Sequence, residues 1–334
     1  ELVESDNKKD REELLGEGVE YWNEDISPLN TKNYLYLSGT PFRAIASGEF
    51  VEEQIFNWTY LDEQKAKFNY KKKGGYNPYI SLPRMVLMTY QMPDSIAQIT
   101  KTGEYDEFDL NEFFKAEGEE GFSKFVHEIE VQQWLNLIRG SGFNNIYTNL
   151  KLGKNKPILP FANIDLINQL SHTFWYLPSV ASCYAMKNLM MQQSNFFYQD
   201  YEIIVCAGSK AGMGVKALEP VRAKMSNPLK SKTITLSCGK LNSGVTVKPW
   251  TGVFMLRNTT SPESYFQTAF RSQSPWTIGT NNLNQPNEEL ILKENCYIFD
   301  FAPNRALKLV TEYSCRLNDN EGNAESKVEE FIKF

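Results

Sequence analysis

The chain has 334 residues, 41% of them hydrophobic and 13% aromatic, with a formal net charge of −6 at pH 7. That length allows about two domains with ordinary buried cores, and the acidic balance excludes nucleic-acid binding driven by overall charge while permitting a local basic groove. No run approaches the ~20 apolar residues of a membrane span, and Glu1 opens no signal-peptide pattern.

The cysteines Cys183, Cys206, Cys238, Cys296 and Cys315 form no C-x-x-C pair, and His127 and His172 are too few and too far apart for a zinc centre. A cytoplasmic protein with buried free thiols, no metal and no membrane contact is the expectation.

In chain order, Leu14, Leu15, Val19 and Trp22 recur at helical intervals and predict a helix ending before Ser27-Pro28. A strand is expected over 33–37, followed by the turn Ser38-Gly39-Thr40-Pro41 and a mixed stretch with Phe56, Trp58 and Tyr60. The apolar run 85–90 predicts a central parallel strand covered on both faces. Residues 93–160 change character. Asp106, Glu107, Asp109, Glu112, Glu117, Glu119 and Glu120 form an acidic segment, most simply a solvated face, and Phe122, Phe125, Val126, Ile129 and Trp134 follow at helical spacing. This stretch reads as an insertion or linker with one or two helices.

From residue 161 the rhythm is regular. Helices are expected over 163–170, 179–192, 215–225, 262–271 and 304–317, and strands over 173–177, 202–206, 233–237, 252–256 and 296–301. Such alternation implies an α/β protein with a parallel sheet and helices on both faces.

Two segments in this region carry chemistry. After the strand 233–237 comes the polar loop 239–246, whose Gly239 and Gly244 let backbone amides approach an anion and whose Lys240, Asn242 and Thr246 offer polar contacts. An ordinary turn would use the same residue types. On the helix from Pro262, Gln267 and Arg271 share one face at i and i+4. Arginine suits phosphate through its planar, permanently charged fork, although a surface pair with Glu263 is the simpler alternative. The run from Gly208 to Gly214 imitates a phosphate-binding loop, but Val215, Lys216 and Ala217 follow where a Walker A loop needs Gly-Lys-Ser/Thr.

The order of an apolar strand closed by Ser38-Gly39-Thr40-Pro41, the loop 239–246, and Ser261-Pro262-Glu263-Ser264-Tyr265-Phe266-Gln267-Thr268-Ala269-Phe270-Arg271 resembles motifs III, V and VI of superfamily 2 helicases, in the DEAD/DEAH-type variety found in type III restriction enzymes. The resemblance spans most of residues 30–315, although 95–160 match nothing in it. It implies RecA-like parallel sheets with helices on both faces: the end of a first domain over 1–92, an insertion or linker over 93–160, and a complete second domain, the helicase C-terminal one, over 161–334.

By the same resemblance, Arg271 is the arginine-finger candidate, assisted by Gln267, and Gly239, Lys240, Asn242 and Gly244 bind nucleotide. Ser38, Gly39 and Thr40 couple nucleotide state to domain closure, and Arg43 adds charge to the cleft. Thr246, Ser209 and Lys210 contact the nucleic-acid backbone. One departure is Ser274, which stands where many members carry a second arginine.

ATP and Mg²⁺ are the implied cofactors of the full-length protein. DNA, an amino-terminal motor segment and a nuclease or methyltransferase subunit are the implied partners. No G-x-x-x-x-G-K-S/T sequence and no apolar strand ending in Asp-Glu-x-His occurs, so this chain is expected not to hydrolyse ATP alone. The expected function is a portion of an ATP-dependent DNA helicase or translocase. The alternatives are a non-catalytic nucleic-acid-binding or scaffold protein with a degenerate helicase fold, or an unrelated α/β enzyme using the 208–214 loop for a nucleotide-bearing substrate. The helicase reading requires Ser38, Gly39, Thr40, the loop 239–246 and Arg271 to line one cleft, with the guanidinium free or on an anion rather than paired with Glu263.

Overall fold

A computed structural model describes residues 32, 33, 35, 55–70, 76–93, 96, 108–141, 158–208, 211–212, 215–242, 244–279, 289–317 and 324–333. The chain divides into two compact units, 1–55 and 56–334. Ser38, Gly39, Thr40 and Arg43 lie outside the described residues, as does the helix expected before Ser27.

In chain order the second unit begins with helix α1 (Tyr60–Asn69), strand β1 (Arg84–Thr89), helix α2 (Leu110–Phe113), a hairpin of β2 (Ala116–Glu117) and β3 (Lys124–Phe125), and helix α3 (Glu128–Ile138). It continues with α4 (Ile164–Gln169), β4 (His172–Tyr176), α5 (Val180–Met190), β5 (Glu202–Val205), α6 (Val215–Met225), β6 (Thr233–Ser237) and β7 (Gly252–Met255). Last come α7 (Pro262–Ala269), the hairpin of β8 (Thr277–Gly279) and β9 (Glu289–Ile291), β10 (Asn295–Asp300), α8 (Pro303–Leu317) and α9 (Ala324–Lys333).

Six strands form one sheet in the order β1-β10-β7-β4-β6-β5, and every pairing in it is parallel. The central strands β4, β6 and β7 are buried at every position, including their polar residues His172, Thr173, Thr233, Thr235 and Ser237. On one face Trp175, Phe254 and Phe299 stack in a row with centroids 4.6 Å apart, and Phe161 lies 5.6 Å from Phe254. Helices α3 and α5 cover this face. In α3, Val131, Trp134, Leu135 and Ile138 recur at i, i+3, i+4 and i+7, and all are buried.

The opposite face carries Phe174 against Trp250 at 4.9 Å and Ile298 and Asp300 beneath α7. Beyond α7, Phe266 stacks on Tyr313 of α8 at 3.8 Å, and Phe331 of α9 lies 5.6 Å from Tyr60 of α1. Side-chain caps fix the helix starts: Asn163, Ser179 and Ser261 each accept an amide proton of the first turn, and Pro262 occupies the first helical position of α7.

Two expectations are corrected. The strand assigned to a first RecA-like domain, β1, pairs with β10 in register from Arg84↔Asn295 to Thr89↔Asp300, so the boundary expected near residue 92 cuts through one sheet. It is an edge strand with Arg84, Leu87 and Thr89 exposed, because a short apolar run reads alike at the edge and at the centre. Nor do residues 93–160 behave as a linker. Phe113, Phe114, Trp134, Leu135 and Ile138 enter the main core with no solvent exposure, and Phe122, Phe125 and Val126 precede helix α3 instead of belonging to it. Among the described residues there is one large sheet, not parts of two, and no helix long and apolar enough to cross a membrane.

Candidate functional site on the β6–β7 loop

The parallel order of β6 and β7 forces the chain between them, 238–251, to start at the carboxyl edge of the sheet and return across one face to the amino edge. Its first part is a tight turn. The Ser237 hydroxyl donates to the Lys240 carbonyl, and Leu241 takes the left-handed φ of +68° that a non-glycine residue seldom adopts. Lys240 Nζ donates to the Gly212 carbonyl, which ties this turn to the loop after β5. Gly212 has φ +73°, and a Cβ there would stand 3.0 Å from the Lys216 Cβ, so the close approach needs glycine. Gly244 and Thr246 are exposed. Asn242 is 1% exposed, and neither Nδ2 nor Oδ1 of its side chain has a hydrogen-bond partner. Ser209 and Lys210 lie outside the described residues.

A second cation, not anticipated from the sequence, joins this edge. Arg257 follows β7, donates from Nη1 to the Cys238 carbonyl at 3.1 Å, and lies 5.6 Å from the Tyr176 ring centroid. The usable signal was its position, the second residue beyond a strand's carboxyl end. Beneath the turn, burial pushes the Cys206 thiol up to about 12 against the opposing charge of Lys240, and burial with the neighbouring Cys238 raises Cys183.

Arg271 sits at the far end of α7, eight helical residues and therefore about 12 Å from the carboxyl edge where that helix begins. It meets the returning leg of the loop: Nη1 donates to the Val245 carbonyl and Nε to the Gln267 carbonyl at 3.1 Å. Burial lowers its pKa from the usual arginine value. It is not paired with Glu263, which instead accepts from Gln267 Nε2 at 3.4 Å. The returning leg of the loop 239–246 and Arg271 are thus joined through the Val245 carbonyl. The guanidinium, however, is held by main-chain carbonyls and not left free.

Lys293 clamps the same junction. Its Nζ, 2% exposed with the rest of the side chain, donates to the carbonyls of Lys248 at 2.8 Å, Trp250 at 2.9 Å and Ser272 at 2.7 Å. It thereby fixes the end of the β6–β7 loop against the end of α7. Nothing in the surrounding Glu289 to Glu294 sequence marks it as buried.

A separate polar cluster lies at the carboxyl ends of β7 and β10. Asp300 is fully buried, its Oδ1 accepting from the Ala302 amide at 2.8 Å and lying 3.7 Å from Arg305 Nη2. Burial raises its carboxyl pKa, and Arg305 opposes that shift. Arg305 also donates to Asn258, which accepts from the Leu110 amide at 3.0 Å and donates to Asp109 at 2.8 Å and, through its own amide, to Asn111 at 2.9 Å. Asn258 therefore anchors the 108–113 segment to the sheet.

No family model matches the chain. It is 29% identical over 365 aligned residues to a Mycoplasma pneumoniae protein described as "Putative type II restriction enzyme and methyltransferase RM.MpnORF110P C-terminus", a match that takes in 99% of this chain and 46% of that protein. The chain thus spans about half the length of the relative it matches. Among solved structures, the C-terminal part of the Fun30 ATPase domain aligns over 82% of this chain and 89% of its own, at 11% identity and a TM-score of 0.27, too slight a likeness to carry an argument.

Proposed function

We propose that this chain is part of an ATP-driven DNA helicase or translocase of the superfamily 2 kind, belonging to a restriction system and carrying its second RecA-like domain. The observation that carries the reading is the junction of the loop 239–246 with Arg271 through the Val245 carbonyl. Two segments that resemble helicase motifs V and VI are in hydrogen-bond contact, which supports that reading. The orphaned side-chain amide of Asn242 supports it further. Leaving such a group buried without a partner costs about 1–3 kcal/mol, which a ligand contact would offset. The relative's description as a restriction enzyme and methyltransferase supports DNA as the polymer.

In this proposal Lys240, Arg257 and Thr246 face phosphates, and Gly239 and Gly244 let the backbone come close to them. Arg271 and Gln267 serve the nucleotide once domain closure frees the guanidinium from the loop. The cradle for the triphosphate and Mg²⁺ is not found among the described residues. The sequence has no Walker A lysine, and among the described residues no group of three or more His, Cys, Asp or Glu side chains is placed to hold a metal ion. The triphosphate cradle would come from the amino-terminal motor segment, Ser38 to Thr40 would couple the two, and a nuclease or methyltransferase would be a further partner. One observation favours the alternative of a non-catalytic binding or scaffold protein: both Nε and Nη1 of Arg271 are committed to main-chain carbonyls.

Titration of fluorescent duplex DNA at rising salt tests the reading. Weak binding at low salt is expected, with steep salt dependence. Lys240→Gln, which keeps a donor for the Gly212 carbonyl but removes the charge, should weaken binding several-fold and reduce the salt slope by about 1. Absence of binding at low salt, or a Lys240→Gln variant identical to the parent, would overturn it.

A further inference from the structure

Three cysteines gather at the carboxyl edge of the sheet, at the root of the 239–246 loop. Cys206 directly follows β5 and Cys238 directly follows β6, and the Cys206 amide donates to the Leu236 carbonyl at 2.8 Å. The Leu177 amide donates to the Ser237 carbonyl at 2.8 Å, so the start of α5 stands beside the end of β6 and carries Cys183 to it. The thiols of Cys183 and Cys238 are hydrogen-bond partners, and Cys206 lies near enough to act on Cys183 through its charge. All three are free thiols.

Their surroundings divide the roles. Cys183 and Cys206 have no solvent exposure, whereas Cys238 is half-buried. Arg257 donates to the Cys238 carbonyl at 3.1 Å and Lys240 stands two residues further on, so positive charge lies beside the one of the three that solvent reaches. Such surroundings favour attack by a thiolate. Cys206 is engaged elsewhere, its Sγ donating to the Ala217 carbonyl at 3.5 Å. Burial pushes the Cys183 thiol up, which makes it a poor first nucleophile, but its contact with Cys238 places it to act second.

We propose that Cys238 and Cys183 form a thiol-oxidation site, in which Cys238 reacts with a low-molecular-weight disulfide and Cys183 resolves the adduct into an intramolecular disulfide. The Cys238 thiolate attacks one sulfur of the reagent, forming a mixed disulfide and expelling a thiolate that takes up the proton Cys238 lost. The Cys183 sulfur then attacks the Cys238 sulfur and expels the second thiolate, which takes the Cys183 proton. The two cysteines give up two electrons and two protons in all, and the reagent leaves as two thiols. The new bond fastens the residue before Gly239 to α5, so oxidation anchors the root of the loop. The site stands independently of the DNA-motor reading.

The experiment treats the folded chain with bis(2-hydroxyethyl) disulfide and maps its peptides by mass under non-reducing conditions. A Cys315→Ser background removes the other partly exposed thiol among the described residues. A bond between Cys183 and Cys238 is expected, with the reagent's adduct on Cys238 appearing first. Cys183→Ala should keep that adduct as its end product, and Cys238→Ser should take up neither adduct nor cross-link while folded. The cross-link should raise the melting temperature by about 5 °C, and dithiothreitol should reverse the rise. A parent that stays unmodified, that ends as the Cys238 adduct, or whose disulfide runs through Cys206 overturns the proposal. The parent's outcome alone decides it if either variant fails to fold.

Discussion

Trp134→Ala is expected to lower the melting temperature of the whole 56–334 unit, in one transition, by on the order of 10 °C. The side chain has no solvent exposure and meets Phe114 at 5.1 Å, Trp175 at 5.7 Å and Phe301 at 5.1 Å. Its removal therefore opens a cavity between α3 and the sheet, at a cost of about 3–5 kcal/mol. Far-UV circular dichroism followed through the melt measures this. A two-step melt in which only a minor early phase moves would instead make 93–160 the separate insertion that its acidic sequence suggests.

Lys293→Ala should be of similar size. It leaves three buried carbonyls, those of Lys248, Trp250 and Ser272, without their donor, at about 1–3 kcal/mol for each group left unsatisfied. Urea unfolding at pH 7 measures the loss, and a change below about 1 kcal/mol would mean that water replaces the ammonium, at variance with the tight packing there.

The same lysine gives a pH dependence. Burial without a carboxylate pushes Lys293 down to about 7, partly opposed by Cys296 beside it, from an ordinary value of about 10.4. Between those values the unfolded chain holds a proton that the folded chain has released, so stability should rise as pH increases from about 7 towards 9. Above that, buried thiols such as Cys296, raised to about 11 by burial, act in the opposite direction. Lys293→Met should abolish the rise. A parent whose stability is flat across this window would place the charged ammonium comfortably among its three carbonyls.

Much of the fold from residue 161 onward could be read from sequence, for a physical reason. The β-branched and aromatic residues of β4, β6, β7 and β10 favour strand, and the caps Asn163, Ser179 and Ser261 mark helix starts within a residue. The place of β1 could not be read, because its partner β10 lies more than two hundred residues away and an apolar run is silent on which sheet it joins. The role of 108–138 was hidden likewise. Its acidic residues dominate the composition, whereas Asn258, the residue that fastens it to the sheet, reaches it only across 147 to 149 positions.

In the candidate site, the expectation was a cleft shared by the loop and Arg271 with the guanidinium free, and the direct bond to the Val245 carbonyl was not expected. Any residue's carbonyl can receive an arginine, so Val245 carried no mark in the sequence, and Lys293 beside Glu294 carried none either.

The most direct test of the central claim is amide hydrogen exchange of the chain, alone and with duplex DNA at low salt. Slowed exchange is expected together in 239–246 and in 270–273, because Val245 and Arg271 join the two segments into one unit. Bound DNA that slows neither segment, or that protects only surfaces remote from both, would contradict a shared site on this loop.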